Sequence, residues 1–458
     1  MTEPAGHSLI RIQLRMALAC VAVTVLGGAL GALHYVPGLA PLMNDAALTL
    51  PKLRPLHTTF ASLWIFGAAV AVVYHFLSQV GSGLDRGDVL RFRVQTACWL
   101  AAGGAAFVTL LGGVFSGREY LGFHPAISAL LLAGWLPFTW TVLKRSLRGF
   151  WTQPIYVWFW TVGVLYFIIT FTEGHLYLLP WIGDNPIRDL QVQWKSCGTL
   201  VGSFNFMVYG SLIYISEKIS GDESYAQSRV AFWLFGVGCL NSFTNFAHHT
   251  YHLPQTSLVK WIAFVVSMME IIILLRLLYD IRKMLGQRSS GTGFEASRAY
   301  FASAKWWTAS MIGLAIIISV PSLNSLIHGT KAVTGHAMGT ELGIDTMILL
   351  GAIAYLLREL NPEAGVATAR LDHPVMRWHL VFFNVSMAVF VGWLAISGTA
   401  HGIRRYNGLP SPDWVAWERF LFPITGAAVG LALLYLVIRW LPLLRSPAQP
   451  DSPSLPHS

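Results

Sequence analysis

Four histidines in long apolar stretches are the residues of this sequence best suited to metal chemistry: His57, His248, His249 and His336. A neutral imidazole nitrogen binds haem iron and transition metals, and an ionisable side chain placed in hydrocarbon is a candidate functional residue. A single such histidine is equally compatible with a hydrogen-bonded packing role. Several at one depth of a helix bundle favour a metal or haem site.

The adjacent pair His248-His249 indicates a metal site more sharply than an isolated histidine does. Neighbouring side chains on an α-helix point about 100° apart, so both reach one ion only near a helix end. The pair closes the apolar stretch 229–250, and His252 follows just beyond it. The pattern therefore predicts shared ligation of one ion at the end of a helix.

Two further ligand types, His336 and Met338, stand two positions apart. Two residues along an α-helix correspond to about 200° of rotation, so these side chains leave opposite faces. A methionine thioether is an axial haem ligand in some proteins, and it is also a common apolar core residue. The spacing is compatible with ligands to two different haems on either side of one helix.

The elements that position these residues lie in a membrane. The 458 residues are 54% hydrophobic and 12% charged, with a mean hydropathy of +0.55. Repeated apolar runs of about 20 residues at this composition exclude a soluble nucleotide-binding enzyme and a disordered regulator. The four cysteines show no CxxC or CxxCH spacing, so we expect neither a disulfide framework nor covalently attached c-type haem.

Twelve apolar runs predict an all-α polytopic membrane protein with twelve transmembrane helices. The predicted spans are 12–35, 55–79, 93–115, 125–143, 153–174, 194–216, 229–250, 258–280, 306–327, 332–357, 376–399 and 417–442. Residues 1–446 are predicted to form a single membrane domain, and the Pro/Ser-rich residues 447–458 a disordered tail.

The distribution of positive charge predicts the orientation. With a cytoplasmic N-terminus, 21 of the 31 Lys and Arg residues fall on the cytoplasmic side and ten outside. The positive-inside rule therefore predicts that both termini are cytoplasmic. The net charge of +9 needs no nucleic-acid partner, and membrane lipid is the predicted surrounding.

In this topology the four histidines converge. His57 begins span two, which enters from outside, and His336 begins span ten, which also enters from outside. His248 and His249 close span seven, which exits outward. We therefore expect all four in the outer third of the bilayer, on three helices that are far apart in sequence.

These motifs resemble those of the catalytic subunit of the haem-copper oxidase superfamily. Within it, the chain most closely resembles the large subunit of the cytochrome c-dependent bacterial nitric oxide reductases, over essentially all twelve spans. The likeness rests on LRPLHTTFASLW around His57, SGREY at Ser116 to Tyr120, FAHHTYHLP around the histidine pair, SMMEIIIL around Glu270, and HGTKAVTGHAMG from His328 to Gly339. It implies a haem-copper oxidase-like bundle in a bacterial inner membrane.

The resemblance implies a set of cofactors when it is carried over by position. His57 matches the axial ligand of the low-spin b haem, and His336 matches the proximal ligand of the high-spin haem. His248 and His249 match two ligands of a non-haem metal, which is iron in the reductases and copper in the oxidases. Glu270 matches a glutamate near that metal. The implied cofactors are two b-type haems and non-haem iron or copper.

The outer loops carry a further family motif. Arg118 and Glu119 match residues that help to organise calcium and haem propionates between subunits; an ordinary loop ion pair is the alternative. The resemblance also implies an electron donor on the outer face. This donor is a small cytochrome c subunit or a soluble cytochrome c.

Span six departs from the family pattern. The family has a histidine followed at intervals of four residues by two glutamates, and Cys197, Val201 and Asn205 stand at those positions here. A Cys-His-His set is chemically able to bind iron, zinc or copper, and sulfur favours Cu(I). Because Val201 supplies no carboxylate ligand for iron, Glu270 alone would have to provide one.

Two other positions depart from the family. Met338 replaces the second histidine of span ten, and His57/Met338 ligation would raise the haem reduction potential relative to bis-histidine ligation. Ser242 stands six positions before the first histidine of the pair, where the oxidases closest to this chain carry a tyrosine. Proton-pumping oxidase activity is therefore less expected than nitric oxide reduction.

Span ten also carries Glu341 and Asp345, spaced four residues apart. Side chains at this spacing share one helix face, so they are suited to hydrogen bonding within the bundle or to forming a proton path. Structural pairing is the favoured interpretation.

The sequence supports three functions. The first is a divergent nitric oxide reductase-like subunit, which reduces NO to N2O with electrons from a cytochrome c. The second is terminal oxidase-like reduction of O2 with copper as the second metal. The third is a non-catalytic haem protein that transfers electrons, senses a diatomic gas or supports assembly. The numbers of haems and of non-haem metal ions bound per chain discriminate among these three functions.

Overall fold

The computed structural model describes residues 5–81, 83–118, 120–287, 294–361 and 370–445. Twelve helices in these ranges are long and apolar enough to cross a membrane, which confirms the predicted all-α, twelve-span fold. Spans one to twelve are Gly6–Leu33, Leu50–Gln79, Arg86–Leu111, Pro125–Ser146, Ile155–Leu178, Pro186–Ser220, Arg229–His249, Ser257–Gly286, Glu295–Ser319, Lys331–Glu359, Pro374–Tyr406 and Asp413–Leu444.

Two sequence predictions concern residues outside the described ranges. These are Glu119 as a candidate calcium-site residue and the disordered tail 447–458. The single membrane domain over 1–446 likewise stays a prediction. Arg118, on the other side of this gap from Tyr120, is described and is treated with the site below.

Span nine differs most from its predicted bounds. The sequence predicts it at 306–327, whereas the helix occupies Glu295–Ser319 and Pro321–Ile327 form a separate short helix. Proline has no backbone N–H and favours the first turn of a helix, so Pro321 starts a new helix after an extended residue at Val320. The amphipathic first turns of span nine lie beyond the apolar run that hydropathy detects.

Three spans form the interior of the bundle. Spans two and six are 89% buried over their apolar windows and span ten is 83% buried, whereas span eight is only 22% buried. A helix that is apolar on all sides is typical of a position enclosed by other helices. The three enclosed spans are the ones that carry His57, the departures of span six, and His336.

Two arginines of span one join the ends of spans ten and twelve. Arg11 is 2% exposed and donates hydrogen bonds to the carbonyl oxygens of Leu443, at 2.9 Å, and of Leu360. Arg15 donates to the carbonyl of Leu444. The last carbonyls of a helix lack intrahelical donors and carry partial negative charge, so guanidinium groups stabilise them. These contacts lie at the end of the bundle opposite His336.

The backbone of span ten changes its winding at mid-length. Between the α-helical parts Lys331–Thr340 and Thr346–Glu359, residues Glu341–Asp345 form a π-helical turn. Its N–H at Thr346 donates to the carbonyl of Glu341, five residues back. Turns of this kind are rare and frequently occur at functional sites, because they rotate the side chains on either side of them.

Candidate functional site

Three of the predicted histidines line one cavity. His248, His249 and His336 border a space of about 260 Å³ that is enclosed by residues of spans six to ten. The histidine pair lies on the short helix Phe246–His249 at the end of span seven, and the backbone leaves helical geometry at Thr250. The rings of the pair are 4.2 Å apart between centroids. The pair therefore occupies a helix end, as its spacing predicts.

Two of these imidazoles have ring nitrogens without a partner. The Nδ1 atoms of His248 and His336 are buried and make no hydrogen bond within the described residues. Buried polar atoms are nearly always paired in folded proteins, because desolvation without a hydrogen bond is costly. Coordination of a metal or of haem iron by imidazole would satisfy atoms of this kind, so the residues present fit such a group.

His57 lies beside a second, smaller cavity. Its Nδ1 donates a hydrogen bond to the carbonyl of Thr24 at 2.8 Å, which leaves Nε2 for a ligand. A Cβ at position 28 would lie 2.7 Å from that Nδ1, so Gly28 permits the ring to pack against span one. Thr24 and Ala61, one helical turn after His57, line a cavity of about 40 Å³.

Span ten separates the two cavities. His336 and Asp345 face the larger cavity, Leu342 faces the smaller one, and Glu341 borders both. Two faces of span ten therefore border two cavities. Met338 is half-buried against the hydrophobic core and lines neither cavity, so its role as a haem ligand stays a prediction.

Sequence reasoning missed Trp194. Its indole lies parallel to the imidazole of His249, with 1° between the ring planes and 4.7 Å between the centroids, and it lines the larger cavity. A stacked neighbour fixes the plane of an imidazole while its nitrogens remain accessible in that plane. The available signal was spacing, because Trp194 precedes Cys197 by one helical turn on span six.

The third predicted metal ligand is placed differently from the histidines. Cys197 is 5% exposed and is not among the residues that line the cavity, whereas Val201 and Asn205 are. Within the described ranges, no three His, Cys, Asp or Glu side chains lie close enough together to hold a metal ion. Ligation by Cys197 stays a prediction.

Glu270 lies on the cavity wall formed by span eight and is 8% exposed. Its carboxylate accepts a hydrogen bond from the side-chain amide of Asn241. The amide oxygen of Asn241 in turn accepts from the hydroxyl of Ser267 at 3.0 Å. This chain of hydrogen bonds fixes the carboxylate at the cavity, where the resemblance implies a glutamate.

Arg118 fixes the loop between spans three and four. Its guanidinium lies 2.7 Å from the carboxylate of Asp189 and 3.2 Å from the side-chain oxygen of Gln193, and it stacks 3.9 Å above the ring of Tyr177. Tyr120, two residues on, lines the larger cavity. Arg118 thus makes the ordinary ion pair that the sequence left open, and the calcium site stays a prediction.

A histidine outside the spans borders the same cavity. His328 lies in the segment before span ten, and its ring is 4.4 Å from that of His252 between centroids. Partial burial, the neighbouring His252 and the Arg405 guanidinium together lower the pKa of His328. The imidazole therefore resists protonation at this point of the cavity wall.

The twelve apolar helices define a multi-pass integral membrane protein, and three histidines line its larger cavity. Residues 10–430 match the family described as Cytochrome C and Quinol oxidase polypeptide I, and the chain belongs to this family. The resemblance to the haem-copper oxidase superfamily is thereby confirmed. Membership implies haem and metal cofactors.

Two curated relatives are similar over most of the chain. The cytochrome c oxidase subunit 1 of Rhodobacter capsulatus is 24% identical over 395 residues, which are 80% of this chain and 70% of that protein. The cytochrome c oxidase subunit 1 homolog of Azorhizobium caulinodans is 25% identical over 401 residues, 78% of this chain and 66% of that protein.

A solved structure shows the same fold. A heme-copper terminal oxidase dimer determined by cryo-electron microscopy superposes with a TM-score of 0.74, covering 97% of this chain and 85% of that one. The two sequences are 14% identical. At this identity the similarity concerns the arrangement of the helices and not the reaction.

Proposed function

We propose that this chain is the haem-binding subunit of a divergent nitric oxide reductase-like enzyme. The observation that carries the proposal is the larger cavity, where His336 meets His248 and His249 and where Glu270 is held by Asn241. A haem on one side and a second metal on the other suit the coupling of two small molecules.

The two cavities support a proposed set of ligand roles. We assign His336 to the reactive b haem and His57 with Met338 to a relay b haem. His248 and His249 would hold non-haem iron or copper, with Cys197 as the third protein ligand. When bound, these groups bind NO and pass electrons to it, so that two NO, two electrons and two protons give N2O and water.

The polar groups of the cavity have a separate task. Glu270 is oriented by Asn241 and is placed to hold a proton at the wall of the cavity. Trp194 holds the imidazole plane of His249. The absence of a tyrosine from residues 229–250 supports NO over O2 as the substrate, because Ser242 offers no phenol hydrogen there.

The second candidate is reduction of O2 with copper as the metal. Tyr209 of span six favours it, because this buried phenol lines the larger cavity and is chemically able to supply a proton and an electron. The names of the two curated relatives, both cytochrome c oxidase subunits or homologs, also support it. The third hypothesis, a haem protein without turnover, requires that the second metal be absent.

The proposed setting combines the family resemblance with the distribution of Lys and Arg. We place the chain in a bacterial inner membrane with both termini in the cytoplasm, in contact with membrane lipid and without a nucleic-acid partner. The electron donor is a cytochrome c, either a small subunit or a soluble protein. Calcium bound near Arg118 and Glu119 would stabilise the outer loops against that donor.

The test compares two gases in one preparation. Purified haem-loaded protein is supplied with reduced cytochrome c, NO consumption and N2O formation are measured without oxygen, and O2 consumption is measured separately. We expect N2O at half the rate of NO loss and little O2 uptake. O2 uptake alone would support the second candidate, and neither activity with both haems bound would support the third hypothesis.

A further inference from the structure

The proposed ligand set leaves unused a buried carboxyl group at the cavity. Asp345 closes the π-helical turn of span ten, is 4% exposed and lines the larger cavity. Its Oδ1 atom is buried and has no hydrogen-bond donor in the described part of the chain. A carboxyl group buried in this way is costly in a membrane span, so its presence indicates a function.

The groups that face Asp345 are acidic or neutral. Glu341, on the same turn, and Glu270, on span eight, are close enough to interact with it electrostatically, and so is the phenol of Tyr209 on span six. The described residues that line the cavity include no Lys or Arg. The cationic candidates there are its histidines, three of which are assigned to the haem and the metal.

The carboxyl groups of Glu270 and Asp345 differ in the hydrogen bonds that they accept. Glu270 accepts a hydrogen bond from Asn241, which orients its carboxylate. Asp345 receives none at Oδ1, although it borders the same space. On span six, Val201 and Asn205 line the cavity without a proton that they can give up. The carboxyl groups in the described lining that can supply protons to this space lie on spans eight and ten.

We propose that Asp345 is a general acid of the cavity that donates one of the two protons consumed in NO reduction. This inference rests on the proposed function and names a further catalytic residue for it. The O–H bond of Asp345 breaks and its proton goes to the NO oxygen that leaves as water, while Glu270 supplies the second proton. The two electrons come from the cytochrome c, and solvent protons restore both carboxyl groups.

The π-helical turn is what brings Asp345 to this position. In a continuous α-helix, Asp345 would lie about 180° from His336, because nine residues correspond to two and a half turns. The inserted turn changes that angle, and both residues line the same cavity. The local winding therefore joins the acid to the haem-ligand face of span ten.

The first test is spectroscopic and does not depend on turnover. Infrared difference spectra are recorded on the haem-loaded protein as carbon monoxide is released by light. We expect a carboxylic acid C=O band that shifts on release, disappears in Asp345→Asn and returns at a new position in Asp345→Glu. Glu217→Gln is the matched control, since Glu217 is a buried carboxyl group outside the described lining of the cavity.

An unchanged band in Asp345→Asn would overturn the inference, provided that the variant still binds carbon monoxide. The second test is kinetic: loss of a general acid typically costs about 10²–10⁴-fold in rate, so kcat with NO should fall by at least about 100-fold in Asp345→Asn with a similar KM. Asp345→Glu should recover part of kcat with an altered pH profile.

The two tests separate this inference from the function on which it rests. Normal NO turnover in Asp345→Asn would refute the acid role and leave the nitric oxide reductase-like function intact. A carboxylic acid band that responds to carbon monoxide in a protein without NO turnover would refute the proposed function and support Asp345 as the proton-holding group of the cavity.

Discussion

Spans seven and ten present three imidazoles to the larger cavity, whereas span six presents the side chains of Trp194, Val201, Phe204, Asn205 and Tyr209. The first wall carries imidazoles, a ligand type that suits both haem and a second metal, and the second wall carries no imidazole or carboxylate. Two of the span-six departures, Val201 and Asn205, therefore lie on this second wall.

The proposed haem and the proposed second metal need different numbers of ligands from these walls. One axial histidine is enough to hold a haem in a fitted cavity, and in the proposed assignment His336 supplies it from span ten. A metal ion held by protein needs several donors, and in the described residues no three His, Cys, Asp or Glu side chains lie close enough together to hold one. The residues present therefore meet the ligand needs of the haem more fully than those of the second metal. We expect variants of the two walls to differ accordingly in how much haem or metal they lose.

The largest effect is expected on the wall formed by spans seven and ten. His336→Ala removes the only imidazole that span ten offers to the larger cavity, so the carbon monoxide-reactive haem should be lost and NO turnover abolished. The haem beside His57 should remain. Optical spectra with carbon monoxide measure both haems, and His252→Ala is the control because His252 is exposed and outside the described lining. Retained carbon monoxide binding in His336→Ala would contradict the assignment.

A smaller but clear effect is expected for the metal. Removing a residue that only supports a metal ligand typically lowers metal affinity about 10–100-fold. Because His248→Ala removes a ligand itself, its metal affinity should fall by more than this. Cys197→Ala should lower metal content less, because Cys197 lies outside the cavity lining. Elemental analysis of the purified variants measures both. Equal losses would show that span six moves inward to bind the metal.

The stack on span six sharpens the comparison. A stacked aromatic pair is worth about 0.5–1.5 kcal/mol, so Trp194→Leu should weaken metal binding by about 2–10-fold through loss of the fixed His249 plane. Titration with metal measures the change, and Trp181→Leu is the control because this tryptophan is 70% exposed. Equal metal affinities of the Trp194→Leu and Trp181→Leu variants would show that Trp194 does not support the metal site.

The smallest effect concerns pH. The pKa of His328 is lowered in the folded protein by burial, His252 and Arg405, so the unfolded chain binds more protons as the pH falls below about 6.5. Stability should therefore decrease on acidification through this range, and the decrease should be smaller in His328→Gln. Thermal unfolding between pH 7 and pH 5 measures the slopes. Identical slopes would show that His328 does not contribute.

Hydropathy and spacing predicted the parts of this molecule that depend on one helix at a time. The twelve spans follow from apolar runs, and the meeting of His248, His249 and His336 follows from their positions at the ends of those runs. The exception was span nine, because Pro321 divides a run that remains apolar across the break.

Features that depend on the rotation of one helix against another were not predicted. The Trp194 stack requires a particular rotation of span six against span seven, and ligand chemistry directed attention to Cys197 instead. The π-helical turn at Glu341–Asp345 changes hydrogen bonding without changing hydropathy. Its effect on Asp345 is therefore visible only once the backbone is known.

We expect two haem sites, one on either side of span ten. The most direct measurement is a dithionite-reduced minus oxidised optical spectrum of the purified protein, recorded with and without carbon monoxide. We predict two b-type haems, of which one binds carbon monoxide. A spectrum with only low-spin haem, or with no haem, would contradict this expectation and rule out both proposed enzymatic functions.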